Sequence, residues 1–183
     1  GVPEFLNKRD AFLFKMYQAF GHHFDFIAIP IIKKRLRMDT SQVIINEERP
    51  QLTKHLATRF KEKIGQNVNL LGEVVLGNEE ADHRYHHYLE ALESPDINYI
   101  SVKISGIYAQ THALNYEESF PELVSRMSAL YQKAIDFPYT DEDGIKRSKF
   151  INLDMEEYKD AHFTLRLFKA VLNLPQFKNY SAG

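Results

Sequence analysis

Apolar positions along this chain change their period once. Over residues 4–66 they recur at helical spacing and carry no strand signal. Phe12, Met16, Ala19 and Phe20 mark one helix, which Gly21 ends. Phe24 to Arg37 predicts a second helix, kinked near Pro30, with Lys33, Lys34, Arg35 and Arg37 gathered at its C-terminal end. Cations there suit the helix dipole, so a solvated basic end accounts for them as well as a phosphate patch would. Leu52, Leu56, Phe60 and Ile64 fall on successive turns of a third helix over Arg49 to Ile64.

From Val68 onward short apolar runs alternate with helical stripes, the pattern of a parallel sheet built from strand–helix units. Val68–Glu73 predicts the first strand, followed by a helix with Ala81, Tyr85, Tyr88, Leu89 and Leu92 on its core face and a stop at Ser94-Pro95. Ile97–Ile104 predicts the second strand. Its helix should open at Ser119, where Glu122 completes a capping-box spacing, and should bury Leu123, Met127, Leu130, Tyr131 and Ala134. Pro138 to Arg147 reads as a polar connection. Its Asp141-Glu-Asp-Gly144 run is a turn rather than a calcium loop, because Tyr139 stands where the first ligand would be. Phe150–Leu153 predicts the third strand, and Phe163, Leu167, Phe168, Val171 and Leu172 the core face of the last helix. The expected architecture is α/β, with a helical segment over residues 1–66 and three strand–helix units over 67–183.

Composition narrows the classes of function. The 183 residues are 44% hydrophobic, enough for a buried core, and 23 basic against 25 acidic side chains leave a net charge of −2. No broad basic field is available to attract nucleic acid. The absence of cysteine excludes a disulfide scaffold and thiolate metal sites, and fits a reducing, cytoplasmic setting. The longest apolar run, Phe24 to Ile32, is broken by Asp25 and Pro30 and falls short of the roughly 20 residues of a membrane span. No secretory signal is visible, and a first residue of Gly fits an internal start.

Candidate chemistry concentrates at strand ends. The third strand runs straight into Asp154, Glu156 and Glu157, and carboxylates at the tip of a buried strand must be paired or desolvated. Ligands of (β/α) folds bind at strand tips, so the position argues for a site, although a plain structural acid also fits Asp154. Glu156 and Glu157 suit a helix start, where acids meet the dipole. Lys103 lies on the opposite strand face from Val102 and Ile104, so it either snorkels from the strand end or meets an anion. Glu73, after Gly72, is open to the same two readings, a surface pairing or a site. His83 and His87 have the i, i+4 spacing of a metal pair, but no glutamate follows as a metalloprotease motif requires, and a solvated histidine face fits them better. We expect no metal site. Phosphate-binding loops, nucleophile elbows and dinucleotide fingerprints are also missing.

Three segments together carry a family resemblance. Phe150-Ile-Asn-Leu-Asp-Met-Glu-Glu157 resembles the Phe-(Asn)-x-Asp-x-Glu-Glu strand of proline dehydrogenases, Asn69-Leu-Leu-Gly-Glu-Val-Val-Leu76 resembles their Leu-Gly-Glu first strand, and Tyr99-Ile-Ser-Val-Lys-Ile-Ser105 their second. Order and spacing agree over about residues 67–174, most like the catalytic region of bacterial bifunctional enzymes that carry an aldehyde dehydrogenase on the same polypeptide. The resemblance implies a partial (β/α)8 (TIM-like) barrel. It also implies oxidation of L-proline to 1-pyrroline-5-carboxylate with transfer of electrons to FAD and then to a quinone. It assigns Lys103 as clamp for the proline carboxylate, Glu73 to the mouth of the site, and Asp154 and Met155 to the flavin edge. Quinone as acceptor implies peripheral contact of the complete enzyme with the inner face of the membrane. A barrel of eight units takes about 250 residues, and this chain stops where the family begins its fourth strand. We therefore expect a fragment that lacks FAD and activity on its own and associates through open sheet edges. The alternatives are a non-catalytic α/β interaction module and a metal-dependent barrel enzyme using Asp154 and Glu156.

Overall fold

The computed structural model of the chain describes residues 8–20, 25–41, 43–45, 49–71, 77–109, 116–155, 158 and 161–183. Two compact units are present, dividing between Leu52 and Thr53.

The first unit carries α1 (Lys8–Phe20) and α2 (Asp25–Thr40). Pro30 sits inside α2 and removes a single backbone donor, and the helix runs through it to Thr40. Thr40 closes the end: its hydroxyl donates to the Leu36 carbonyl at 2.7 Å, and its own carbonyl accepts from Val43 and Ile44. Much apolar surface faces outward here, with Phe26 74% exposed.

The second unit begins within α3 (Arg49–Lys61), whose Leu56 is buried. This helix stops short of the expected Ile64. The Lys63 N–H bonds to the Phe60 carbonyl, the Ile64 N–H bonds to that of Arg59, and Lys63 itself takes φ 58°. That is a Schellman closure with a lysine in the left-handed position that glycine usually holds.

The main sheet has three parallel strands, β1 (Val68–Asn69), β2 (Tyr99–Lys103) and β5 (Phe150–Asp154), in the order β1-β2-β5. Between β1 and β2 runs α4 (Asn78–Glu93), which ends at Ser94 as Ser94-Pro95 predicts. Between β2 and β5 come a single turn, α5 (Ile104–Ile107), then α6 (Tyr116–Asp136) and a hairpin of β3 (Tyr139–Thr140) and β4 (Lys146–Arg147). The chain continues through α7 (Ala161–Leu172) and a short 3-10 turn at Pro175–Phe177.

Period-2 alternation puts Ile100, Val102, Ile151 and Leu153 on one face of the sheet, all buried. α4 and α6 pack on the sheet and on each other, burying Ala81, Tyr88 and Leu92 of α4 and the whole expected stripe of α6 from Leu123 to Ala134, while α7 packs on α6 with Phe163, Leu167 and Val171 buried. Other boundaries also depart from expectation: β1 ends at Asn69 without running on through Leu70 and Leu71, and β2 starts at Tyr99 rather than Ile97. Ile104 leaves the strand to begin α5, because Ile104 and Ile107 both bury their side chains once the chain turns helical. Ser119 does not cap α6, which starts a turn earlier at Tyr116 with Glu117 and Glu118 in its first turn, leaving Ser119 buried inside the helix. The turn at Asp141 holds: its carboxylate accepts from the N–H groups of Asp143 and Ile145 and from the Arg147 guanidinium, and Gly144 takes φ 76°.

At the outer edge of β5, Gly183 donates to the Ile151 carbonyl at 3.0 Å and accepts from the Leu153 N–H at 2.8 Å. That pair of bonds is one rung of a parallel ladder opposite Asn152.

Candidate functional site

The sheet's other face is polar in layers. Tyr99 and Phe150 occupy the first register level, their rings edge-to-face at 5.0 Å. Asn69, Ser101 and Asn152 share the next. Lys103 and Asp154 are register partners at the C-terminal tips of β2 and β5, and both are half-buried. Side chains at i and i+2 of each strand project on one side, so the polar layers follow directly from the alternation.

Side-chain bonds tie these layers together. Ser101 is 1% exposed, and its hydroxyl oxygen accepts from the Asn67 amide at 2.7 Å and from the Asn152 amide at 3.4 Å. Asn152 also donates to one oxygen of Asp154, and Asn69 donates to the other at 3.3 Å. Since β2 lies between β1 and β5, the Asp154 carboxylate reaches over β2 to meet Asn69.

Of the residues singled out from sequence, Lys103 and Asp154 come together at one end of the sheet. Met155 follows directly and is 56% exposed. Glu73, Glu156 and Glu157 lie outside the described residues. The amide layer of Asn67, Asn69 and Asn152 with Ser101 escaped the sequence reading. Its signal is the repeated polar–apolar–polar triplet Asn67-Val-Asn69, Ser101-Val-Lys103 and Asn152-Leu-Asp154.

Two cations brace the scaffold behind this face. Arg126 of α6 donates to the Ile107 carbonyl at 2.9 Å, pairs with Asp82 at 2.6 Å and with Glu122 at 2.8 Å, and stacks on Tyr85. Burial pulls its pKa down, but the bonds it donates to Glu122 and Asp82 outweigh that and hold it above the usual arginine value. Arg126 thereby fixes α5, the segment that leaves Lys103. Lys149, just before β5, is 1% exposed and donates to the Ser94 carbonyl at the C-terminus of α4. Burial lowers its pKa to about 8, with nearby Asp96 working in the opposite direction.

A cleft of about 320 Å³ lies at the opposite end of the strands, lined by Leu56, Phe60, Ile64, Tyr99, Tyr139 and Phe150 among others, and holds neither Lys103 nor Asp154. The His83 and His87 rings lie 4.4 Å apart, and no group of three possible metal ligands occurs among the described residues. No helix among the described residues is long and apolar enough to cross a membrane.

The sequence profile of the proline dehydrogenase family matches residues 52–183, which takes in all three strands of this sheet. The chain belongs to the proline dehydrogenase family. Among solved structures, Proline Utilization A from Corynebacterium freiburgense is 31% identical with a TM-score of 0.70, over 99% of this chain and 17% of that one. Proline Utilization A from Bdellovibrio bacteriovorus, inactivated by N-propargylglycine, is 26% identical with a TM-score of 0.69, over 83% of this chain and 17% of that one. A variant of Proline Utilization A from Bradyrhizobium japonicum, 24% identical with a TM-score of 0.51 over 62% of this chain and 12% of that one, supports the fold alone. Comparison with curated proteins gives no match. The chain thus spans about 17% of the length of the first two structures it resembles.

Proposed function

We propose that this chain forms one side of the redox site of an FAD-dependent proline dehydrogenase, built as the first three strand–helix units of a (β/α)8 barrel over residues 67–183, preceded in sequence by a helical segment over 1–66. The observation that carries the reading is the pairing of Lys103 with Asp154 at the C-terminal ends of β2 and β5, the end at which barrel enzymes place their chemistry.

The donor set fits such a cofactor. A flavin edge carries both N–H and carbonyl groups, and this face offers an acceptor-only carboxylate, two side-chain amides and an ammonium within one sheet. Asp154 and Met155 would lie along the cofactor, and bound flavin supplies the acceptor for the hydride equivalent that L-proline loses on becoming 1-pyrroline-5-carboxylate. Lys103 clamps the substrate carboxylate as a point charge, which holds the proline ring in one orientation and lowers the entropy cost of reaction. Glu73 belongs to the mouth of the same site. A quinone would be the final electron acceptor, for which the complete, cytoplasmic enzyme would touch the membrane peripherally.

The 183-residue chain alone should bind flavin weakly or not at all, show no proline oxidation and self-associate, since β1 has no ladder partner on its outer side among the described residues. Absorbance and light scattering on the purified chain test this. Stoichiometric flavin colour that bleaches with proline, or a monomer at every concentration, would contradict it. The full-length polypeptide that carries the chain should be yellow and should bleach when proline is added.

A further inference from the structure

Asp154 is not left to find its own orientation. Each carboxylate oxygen accepts one side-chain amide, Oδ1 from Asn152 of its own strand and Oδ2 from Asn69 at 3.3 Å across β2. An ionised carboxylate accepts only, so both asparagines must present their NH2 groups to it. Asn152 spends its second hydrogen on the buried Ser101 hydroxyl, and Asn67 holds that hydroxyl from the other side at 2.7 Å. The chain of bonds Asn67–Ser101–Asn152–Asp154–Asn69 therefore spans all three strands and fixes the carboxylate at two points. Each oxygen keeps a further lone-pair direction for a ligand donor.

We propose that Asn69 and Asn152 are positioning residues that act through Asp154, clamping its carboxylate over β2 so that it meets the cofactor edge in one geometry. The inference rests on the reading of the strand tips as the redox site. Asn67 and Ser101 serve the clamp from below. They orient Asn152, and no bond joins either of them to Asp154 directly. Preorganisation of this kind is what a group facing a redox centre requires, because a carboxylate free to rotate would have to be ordered at every turnover.

Two experiments test it. In the 183-residue chain alone, Asp154→Ala should shift the side-chain amide NMR signals of both Asn69 and Asn152, and unmoved signals would overturn the clamp. In the full-length, flavin-loaded polypeptide, Asn152→Ala and Asn69→Ala should each slow flavin reduction by proline about tenfold, the loss of a bond to a charged group. Both should also perturb the visible flavin spectrum. In an Asp154→Ala background the same substitutions should have no further effect. Asn69 is exposed, so Asn69→Ala remains informative where Asn152→Ala fails to fold. Equal slowing in both backgrounds overturns the positioning role alone. A wild-type protein whose flavin proline never reduces overturns this inference together with the proposed function.

Discussion

Replacing Lys149 with methionine should flatten a pH dependence that the wild-type chain displays. The ammonium is buried against the Ser94 carbonyl, and its pKa is lowered from 10.5 to about 8. Between those values the folded lysine is neutral while the unfolded one still binds a proton. The unfolded state therefore binds more protons, and stability rises with pH. The full shift corresponds to about 3 kcal/mol, of which about 1–2 kcal/mol appears between pH 8 and pH 9.5. Above pH 10 the trend reverses, because burial raises the pKa of Tyr131 and Tyr180 and the unfolded tyrosines ionise first. Methionine has similar length and no charge, and Ser94 keeps a partner in the Ile97 N–H at 3.3 Å, so the variant should be at least as stable at pH 7.5. Urea unfolding followed by circular dichroism, at steps from pH 7.5 to 9.5, measures the effect. Parallel wild-type and Lys149→Met profiles would refute the reasoning.

The other expectations are quick to check in the same assay. The Tyr131 hydroxyl is buried with no hydrogen-bond partner among the described residues, whereas that of Tyr180 donates to the Lys149 carbonyl at 2.9 Å. Tyr131→Phe should therefore stabilise by about 1 kcal/mol and Tyr180→Phe destabilise by about the same, and equal signs would count against the assigned bonds. Lys63→Gly relieves a left-handed residue at the end of α3 and should add about 0.5–1 kcal/mol, the exposed contact with Glu142 at 3.7 Å contributing little. A loss of stability there would mean that the closure at Lys63 is misread.

Where a pattern repeats over several turns or strands, the sequence sufficed. The five α6 residues from Leu123 to Ala134 satisfy one stripe, and all five are buried. The sheet side of Lys103 was legible for the same reason, since alternation against Val102 fixes it, and Asp154, singled out by its place after the third strand, does stand at that strand's tip beside it in register. Signals carried by a few residues failed where packing overrode them. Ser119 and Glu122 have capping-box spacing, but the helix begins earlier and buries the serine. Leu52, Leu56, Phe60 and Ile64 predicted a helix to Ile64, yet it ends at Lys61 and closes through a left-handed turn on Lys63. The amide clamp was the largest omission at the site. Each asparagine looks like an ordinary polar strand residue, and only the register of three strands brings Asn69 and Asn152 to one carboxylate.

The most direct test of the account is a proline titration of the flavin spectrum in the full-length polypeptide, wild type against Lys103→Ala. The substitution removes a charge-assisted contact worth about 1.5–3 kcal/mol, so half-reduction should require roughly ten- to a hundred-fold more proline while flavin content stays the same. An unchanged proline requirement, or a Lys103→Ala protein that loses its flavin instead, would contradict the assignment of the strand tips as the proline site.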